Sequence, residues 1–123
     1  MTVSKSLSDS TRCDPTLMGT VVVVEDPLVS KLVRAVLQRC GYQVTLTAPE
    51  EATALLAAPE SNIGALVTNS PEAFLEFSDR VPLLYLSSSP DALMAAAFRS
   101  CRVVVKPFVP EELVRAVRDL ISA

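Results

Sequence analysis

From Thr20 to the end of the chain, short β-branched apolar runs alternate with longer stretches of helical period, and this alternation points to a parallel sheet covered by helices. The run Thr20 to Val24 is apolar at nearly every position, as a strand buried on both faces must be, so it is predicted as the central strand. Leu28, Val29, Leu32, Val33, Val36 and Leu37 then recur at helical spacing, with Lys31, Arg34, Gln38 and Arg39 on the other face. Gly41 follows where a left-handed cap is needed. Tyr42 to Thr47 alternates through Val44 and Leu46 as a half-covered strand, and Pro49-Glu50-Glu51 opens a second helix. Ile63 to Asn69 reads as a third strand, Pro71 to about Phe77 as a short helix, and Pro82 to Ser87 as a fourth strand. Ser89-Pro90-Asp91 caps a helix to Phe98, Arg102 to Lys106 is a fifth strand, and Pro110-Glu111-Glu112 opens the last helix. Leu113, Val114, Val117, Leu120 and Ile121 give that helix its apolar stripe. The predicted fold class is α/β, a doubly wound five-stranded parallel sheet.

Residues 1–18, rich in Ser, Thr and Asp and without a sustained period, are expected to form a flexible tail, which leaves 19–123 as one domain. A chain of 123 residues at 50% hydrophobic content can bury one real core and is too short for two. Net charge is −3 and the basic residues are scattered singly, so no stripe exists for nucleic acid or anionic lipid. Cys13, Cys40 and Cys101 are odd in number and lack CxxC spacing, which reads as ordinary thiols in a reducing cytoplasm. The absence of histidine removes Ser-His-Asp and Cys-His hydrolysis and histidine phosphotransfer, so no enzyme is expected. Apolar runs such as Val21 to Val24 are far shorter than the roughly 20 residues a membrane span requires.

In an open α/β sheet, ligands gather outside the carboxyl ends of the strands. Four predicted strand ends place Glu25 and Asp26, Asn69, Ser87 and Lys106 there. The segments VVVVEDPLVSKLVRAVLQRCGYQV, LVTN, PLLYLSS and VVVKPFVPEELVRAVRDLI, in this order and spacing, resemble the bacterial response-regulator receiver domain over roughly residues 19–122. The resemblance implies the flavodoxin-like strand order 2-1-3-4-5. It also implies roles: Glu25 and Asp26 match the metal-binding acids, Asn69 the phosphoacceptor, Ser87 the hydroxyl that contacts the phosphoryl group and Lys106 the lysine that holds a phosphoryl oxygen. Lys106-Pro107 is by the same resemblance a candidate cis peptide.

The chain departs from that pattern at the acceptor. A carboxylate attacks phosphorus to give an acyl phosphate, whereas the neutral amide of Asn69 is a poor nucleophile. Losing the carboxylate also weakens any metal site, because a unit charge at ~4 Å in a medium of dielectric ~20 is worth about 4 kcal/mol per unit of metal charge. No cofactor is therefore expected beyond poorly bound Mg²⁺. Asp26 runs straight into Pro27, which shortens the loop that aims the acids. Eighteen positions separate Asn69 from Ser87, so the third helix is expected to be a stub. Val103 stands where receivers usually carry a switching Tyr or Phe.

Beside these readings stand simpler ones. Glu25 and Asp26 could be solvated strand-end residues, Ser87 a turn and cap group, and Lys106 the partner of Glu25 or Asp26 in an ion pair. The expected function is that of a degenerate receiver: a cytoplasmic, phosphorylation-independent interaction module of bacterial two-component signalling. Its expected partner is a histidine kinase, a response regulator, an output protein or a second copy of itself. The expected surface comprises the fourth helical segment, fifth strand and last helix around Met94, Phe98, Val103 and Val114. The alternative is a working phosphoacceptor that uses another acid near the pocket. The dipeptide Asn69-Ser70 also permits slow deamidation wherever the loop lets the Ser70 nitrogen reach the side-chain amide, and an ordered strand end is expected to prevent it.

Overall fold

The computed structural model describes residues 19–58 and 62–122, so the predicted N-terminal tail lies outside the described residues. Five strands, β1 (Thr20–Val24), β2 (Gln43–Leu46), β3 (Ile63–Thr68), β4 (Leu83–Ser87) and β5 (Cys101–Val105), form one parallel sheet. Their order is β2-β1-β3-β4-β5, as the resemblance implied. Helices α1 (Pro27–Arg39), α2 (Pro49–Ala57), α3 (Ala92–Ala97) and α4 (Pro110–Ser122) connect and cover the strands, and the stub Pro71–Phe77 is a 3₁₀ segment kinked at Phe74.

The central strand is buried as its composition demands, with Val21, Val22 and Val23 wholly inaccessible. Alternate strand residues point to opposite faces and build two cores. One collects Val21, Val23, Val67, Leu84 and Leu86 beneath α1 and α4; the other collects Val22, Leu66, Leu83 and Tyr85 beneath α2, the 3₁₀ segment and α3. At about 25 cal/mol per Å² of apolar surface, these two layers hold the strand ends in place.

Helix α1 lies where its periodicity put it, but its buried face is rotated from the predicted one. Ser30, Val33 and Leu37 form the buried stripe, while Leu28 is 81% exposed and Leu32 47%. The reason is local: Asp26 caps the helix and the Ser30 hydroxyl donates to the Glu25 carbonyl at 3.1 Å, which fixes the rotation. Gly41 follows Cys40 with φ +95°, the left-handed conformation expected after this helix. Gly19 has φ +81°, and a Cβ there would come within 2.7 Å of the Gly64 nitrogen, so the start of β1 can press against β3 only without a side chain.

The shortened β3–β4 connection is pinned rather than slack. Arg80 donates to the Leu56 carbonyl at 2.6 Å and lies 5.3 Å from the centre of the Phe77 ring, joining the 3₁₀ segment to the end of α2.

Candidate functional site

The carboxyl ends of β1, β3, β4 and β5 bring the predicted residues to one rim, and that rim divides into a closed half and an open half. In the closed half, Lys106 Nζ lies 3.2 Å from Glu25 Oε1, which joins the residue after β5 to the residue after β1. The Glu25 side chain is 0% exposed and that of Lys106 24%. Burial pushes the Glu25 carboxyl above its ordinary range, and the Lys106 ammonium only partly offsets that shift. Of the two acids offered by the sequence, Lys106 pairs with Glu25. Lys106 also donates its backbone N–H to the Ser87 carbonyl at 3.0 Å, and the peptide bond that follows, Lys106–Pro107, is cis.

Asp26, next to Glu25, is exposed and serves the backbone: its Oδ1 accepts from the Val29 N–H at 3.1 Å as the N-cap of α1. Because Pro27 follows immediately, the helix starts at once and the second acid is drawn to its N-terminus. Ser87 likewise folds onto its own turn, its Oγ accepting from the Ser89 N–H at 3.0 Å.

In the open half, β3 ends at Thr68, one residue earlier than predicted, and the backbone bends at Asn69, which is exposed. The Ser70 hydroxyl donates to Asn69 Oδ1 at 3.2 Å, and the Ser70 N–H donates to Thr68 Oγ1 at 3.1 Å. Glu25, Thr47, Asn69, Ser70 and Phe74 line a cleft of about 250 Å³ beside this turn, with no wall from Ser87 or Lys106. Glu25 Oε2 and Thr47 Oγ1 are buried there without a protein hydrogen-bond partner. The structure therefore unites Glu25 with Lys106 and sets Asn69 across one cleft from Glu25, while Asp26 and Ser87 are turned to local backbone donors.

Among the described residues no group of three or more His, Cys, Asp or Glu side chains gathers as a metal site. Sequence reasoning singled out Ser70 only for its backbone nitrogen and missed Thr68 and the Ser70 hydroxyl, for which the Thr-x-Ser spacing around Asn69 is the available signal of a hydroxyl that bonds the backbone two residues on. It missed Tyr85 as well, whose hydroxyl accepts from the Asp91 N–H at 3.0 Å and thereby sets the start of α3; nothing in the local pattern marks that contact.

The predicted interaction residues do not form one face. Phe98 is 4% exposed, because α3 has only six residues and ends before it, and the ring joins Phe74 and Phe77 in the second core. Val114 packs towards α1, lining a groove with Leu32 and Val36, so it does not belong with β5. Met94 is half-buried against the second core. Val103 is 42% exposed on β5, as is Val105, two residues on, at 51%, and Val103 lines a groove with Pro90, Ala92, Ala95 and Ala96.

This topology matches solved structures across most of their length. A chemotaxis response regulator of Vibrio cholerae superposes with a TM-score of 0.69 at 22% identity, covering 84% of this chain and 98% of that one. The chain has the receiver fold. The receiver domain of a sensor histidine kinase from Pseudomonas aeruginosa, solved with magnesium in its active-site cleft, aligns at TM-score 0.68 and 23% identity, over 85% of this chain and 98% of that one. A response regulator of Thermotoga maritima, solved with magnesium and beryllofluoride, aligns at TM-score 0.68 and 22% identity, over 84% and 99%. No family model and no curated protein matches the sequence.

Proposed function

We propose that this chain is a receiver-type signalling module of a bacterial two-component system that works without phosphorylation at its acceptor position. The observation that carries the reading is the pairing of Lys106 with a wholly buried Glu25 beside an acceptor position filled by an amide. A phosphoryl group at position 69 would need a carboxylate to carry it and a free lysine to hold its oxygen. Here the first is replaced and the second is committed.

The donor set is a poor one for a divalent cation, and Glu25 Oε2 is the buried carboxylate oxygen left without a protein partner. Glu25 gives one oxygen to Lys106, Asp26 gives one to the N-terminus of α1, and Asn69 supplies a neutral amide whose oxygen already accepts from Ser70. Hard cations that favour oxygen ligands bind most tightly where uncommitted carboxylates gather. The alternative acceptor, another acid near the pocket, meets the same two commitments at Glu25 and Asp26.

The module acts by binding a signalling protein: a kinase, a response regulator or an output protein. The corrected surface is the edge formed by β5 and α3, where Val103 and Val105 are exposed and Ala92, Ala95 and Ala96 line a groove beside Val103. With valine at position 103 there is no aromatic ring to swing between two states, so this edge is constitutively available.

The test is a ¹⁵N NMR titration of freshly purified protein with Mg²⁺ and beryllofluoride, alongside intact mass after acetyl phosphate. Unchanged amide shifts at Asn69, Ser87 and Lys106 and an unchanged mass are expected. Saturable shifts there, or a gain of one phosphoryl group, would overturn the reading.

A further inference from the structure

Asn69 and Ser70 carry contacts that bear on a reaction of their own, the cyclisation that converts asparagine into an aspartyl residue. That reaction needs three things: a side-chain amide free to turn, an electrophilic carbonyl carbon, and a following backbone nitrogen whose proton has somewhere to go. Asn69 is exposed at a bend, outside the hydrogen-bonded ladder of β3. The Ser70 hydroxyl donates to Asn69 Oδ1 at 3.2 Å, which draws electron density from the amide carbon as an oxyanion donor does. Thr68 Oγ1 accepts the Ser70 N–H at 3.1 Å, and so rests on the proton that must leave the attacking nitrogen. The same two contacts would also serve to hold the turn still, and the substitutions below separate these outcomes.

We propose that Asn69 is a deamidation site, self-activated by Ser70 and Thr68, at which the amide is exchanged for a carboxylate at the acceptor position of the receiver fold. In the first step the Ser70 nitrogen forms a bond to Asn69 Cγ and loses its proton, passed by way of Thr68 Oγ1 and solvent. The Cγ–Nδ2 bond breaks, and Nδ2 takes up a proton and leaves as ammonia. Water then opens the succinimide ring at either carbonyl, giving an aspartyl or isoaspartyl residue. No oxidant or reductant takes part. The aspartyl product carries the nucleophile that the encoded sequence lacks, so time and alkalinity act on this residue where a kinase acts on other receivers. This consequence rests on the reading of Asn69 as the acceptor position; the modification itself does not.

The experiment is peptide mapping by mass spectrometry after storage of the folded chain at mildly alkaline pH, with an unfolded digest of the same chain as control. A gain of about one dalton on the Asn69 peptide is expected, at a rate no slower than in the unfolded digest. Removing one activating hydrogen bond, by Ser70→Ala or by the near-isosteric Thr68→Val, should slow conversion in the folded chain about fivefold relative to its own unfolded digest, which is about 1 kcal/mol on the barrier. Circular dichroism establishes that each variant is folded. If the folded chain stays unmodified while the digest converts, or if either variant converts faster than the parent, the contacts restrain the turn and the proposal fails. Aged protein is then treated with acetyl phosphate beside fresh protein. A phosphoryl gain in the fresh sample would count against the amide reading of the acceptor, whereas an unmodified Asn69 peptide counts against deamidation alone.

Discussion

The two halves of the rim differ in what holds them. At the ends of β1 and β5, Glu25 and Lys106 meet across the sheet, one fully buried and the other three-quarters buried, so the carboxylate depends on the lysine for compensation of its charge more than the lysine depends on it. At the end of β3, the Asn69 and Ser70 side chains and the Ser70 N–H make short local bonds, to each other and to Thr68, the Ser70 carbonyl accepts from the Ala73 N–H at 3.2 Å, and Asn69 faces solvent. A buried ion pair resists substitution because removing one member strands the other, while a solvated turn loses little when one group changes. The comparison teaches that a lysine and an acid from two strand ends can hold one half of the rim for structure while the turn at the end of a third strand stays open to change.

The severest challenge to that contrast is Lys106→Met, which keeps the bulk and removes the charge. It leaves a buried carboxylate alone and is expected to cost about 3 kcal/mol in urea unfolding at neutral pH. A loss below about 0.5 kcal/mol would mean that Glu25 reaches solvent or carries a proton, and the closed half would not be closed.

Glu25→Gln tests the other member and should cost less, within about 1 kcal/mol at neutral pH, because Lys106 can turn outward to water. It should also change the pH dependence. The folded-state pKa of Glu25 is raised above its ordinary value of 4.5, so the folded chain holds its proton longer than the unfolded chain does. Stability contributed by this group is therefore greatest below 4.5 and declines as pH rises from there through the higher folded-state value. Denaturation midpoints collected across that window should lose part of their slope in Glu25→Gln. An unaltered slope would assign the decline to other carboxylates.

The smallest stability effect is expected for Asn69→Asp in the open half, within about 0.5 kcal/mol. Intact mass after acetyl phosphate and Mg²⁺ should show incomplete phosphorylation, because Asp26 remains on the α1 cap and Lys106 on Glu25. Complete modification of this single variant would make the amide the sole lesion and would dissolve the contrast between the halves.

Helix positions and the 3₁₀ stub were legible because they follow from period, from prolines and acids in first turns, and from the short interval between Asn69 and Ser87, whereas the strand order came from the family resemblance. The rotation of α1 was not. Six apolar residues over ten positions fit more than one buried stripe, and the choice fell to Asp26 and Ser30, two polar residues outside any hydrophobic count. The interaction face failed at Phe98 for a related reason: an aromatic at a helix end reads the same inside or out until the length of α3 is known. At the site, residue types identified the rim, but hydrogen-bond partners decided what each group is free to do. Those partners come from turn geometry that a pattern of apolar positions does not encode.

The ion pair also has a place in time. Glu25 and Lys106 stand 81 residues apart, and their contact closes only when the edge strand β5 docks on β4, itself already joined through β3 to β1. Contacts of such long sequence separation carry a large loop-closure entropy and tend to form late. Lys106 is thus a clasp fastened after the sheet is assembled. Severing it should hasten unfolding while leaving the folding rate almost as it was.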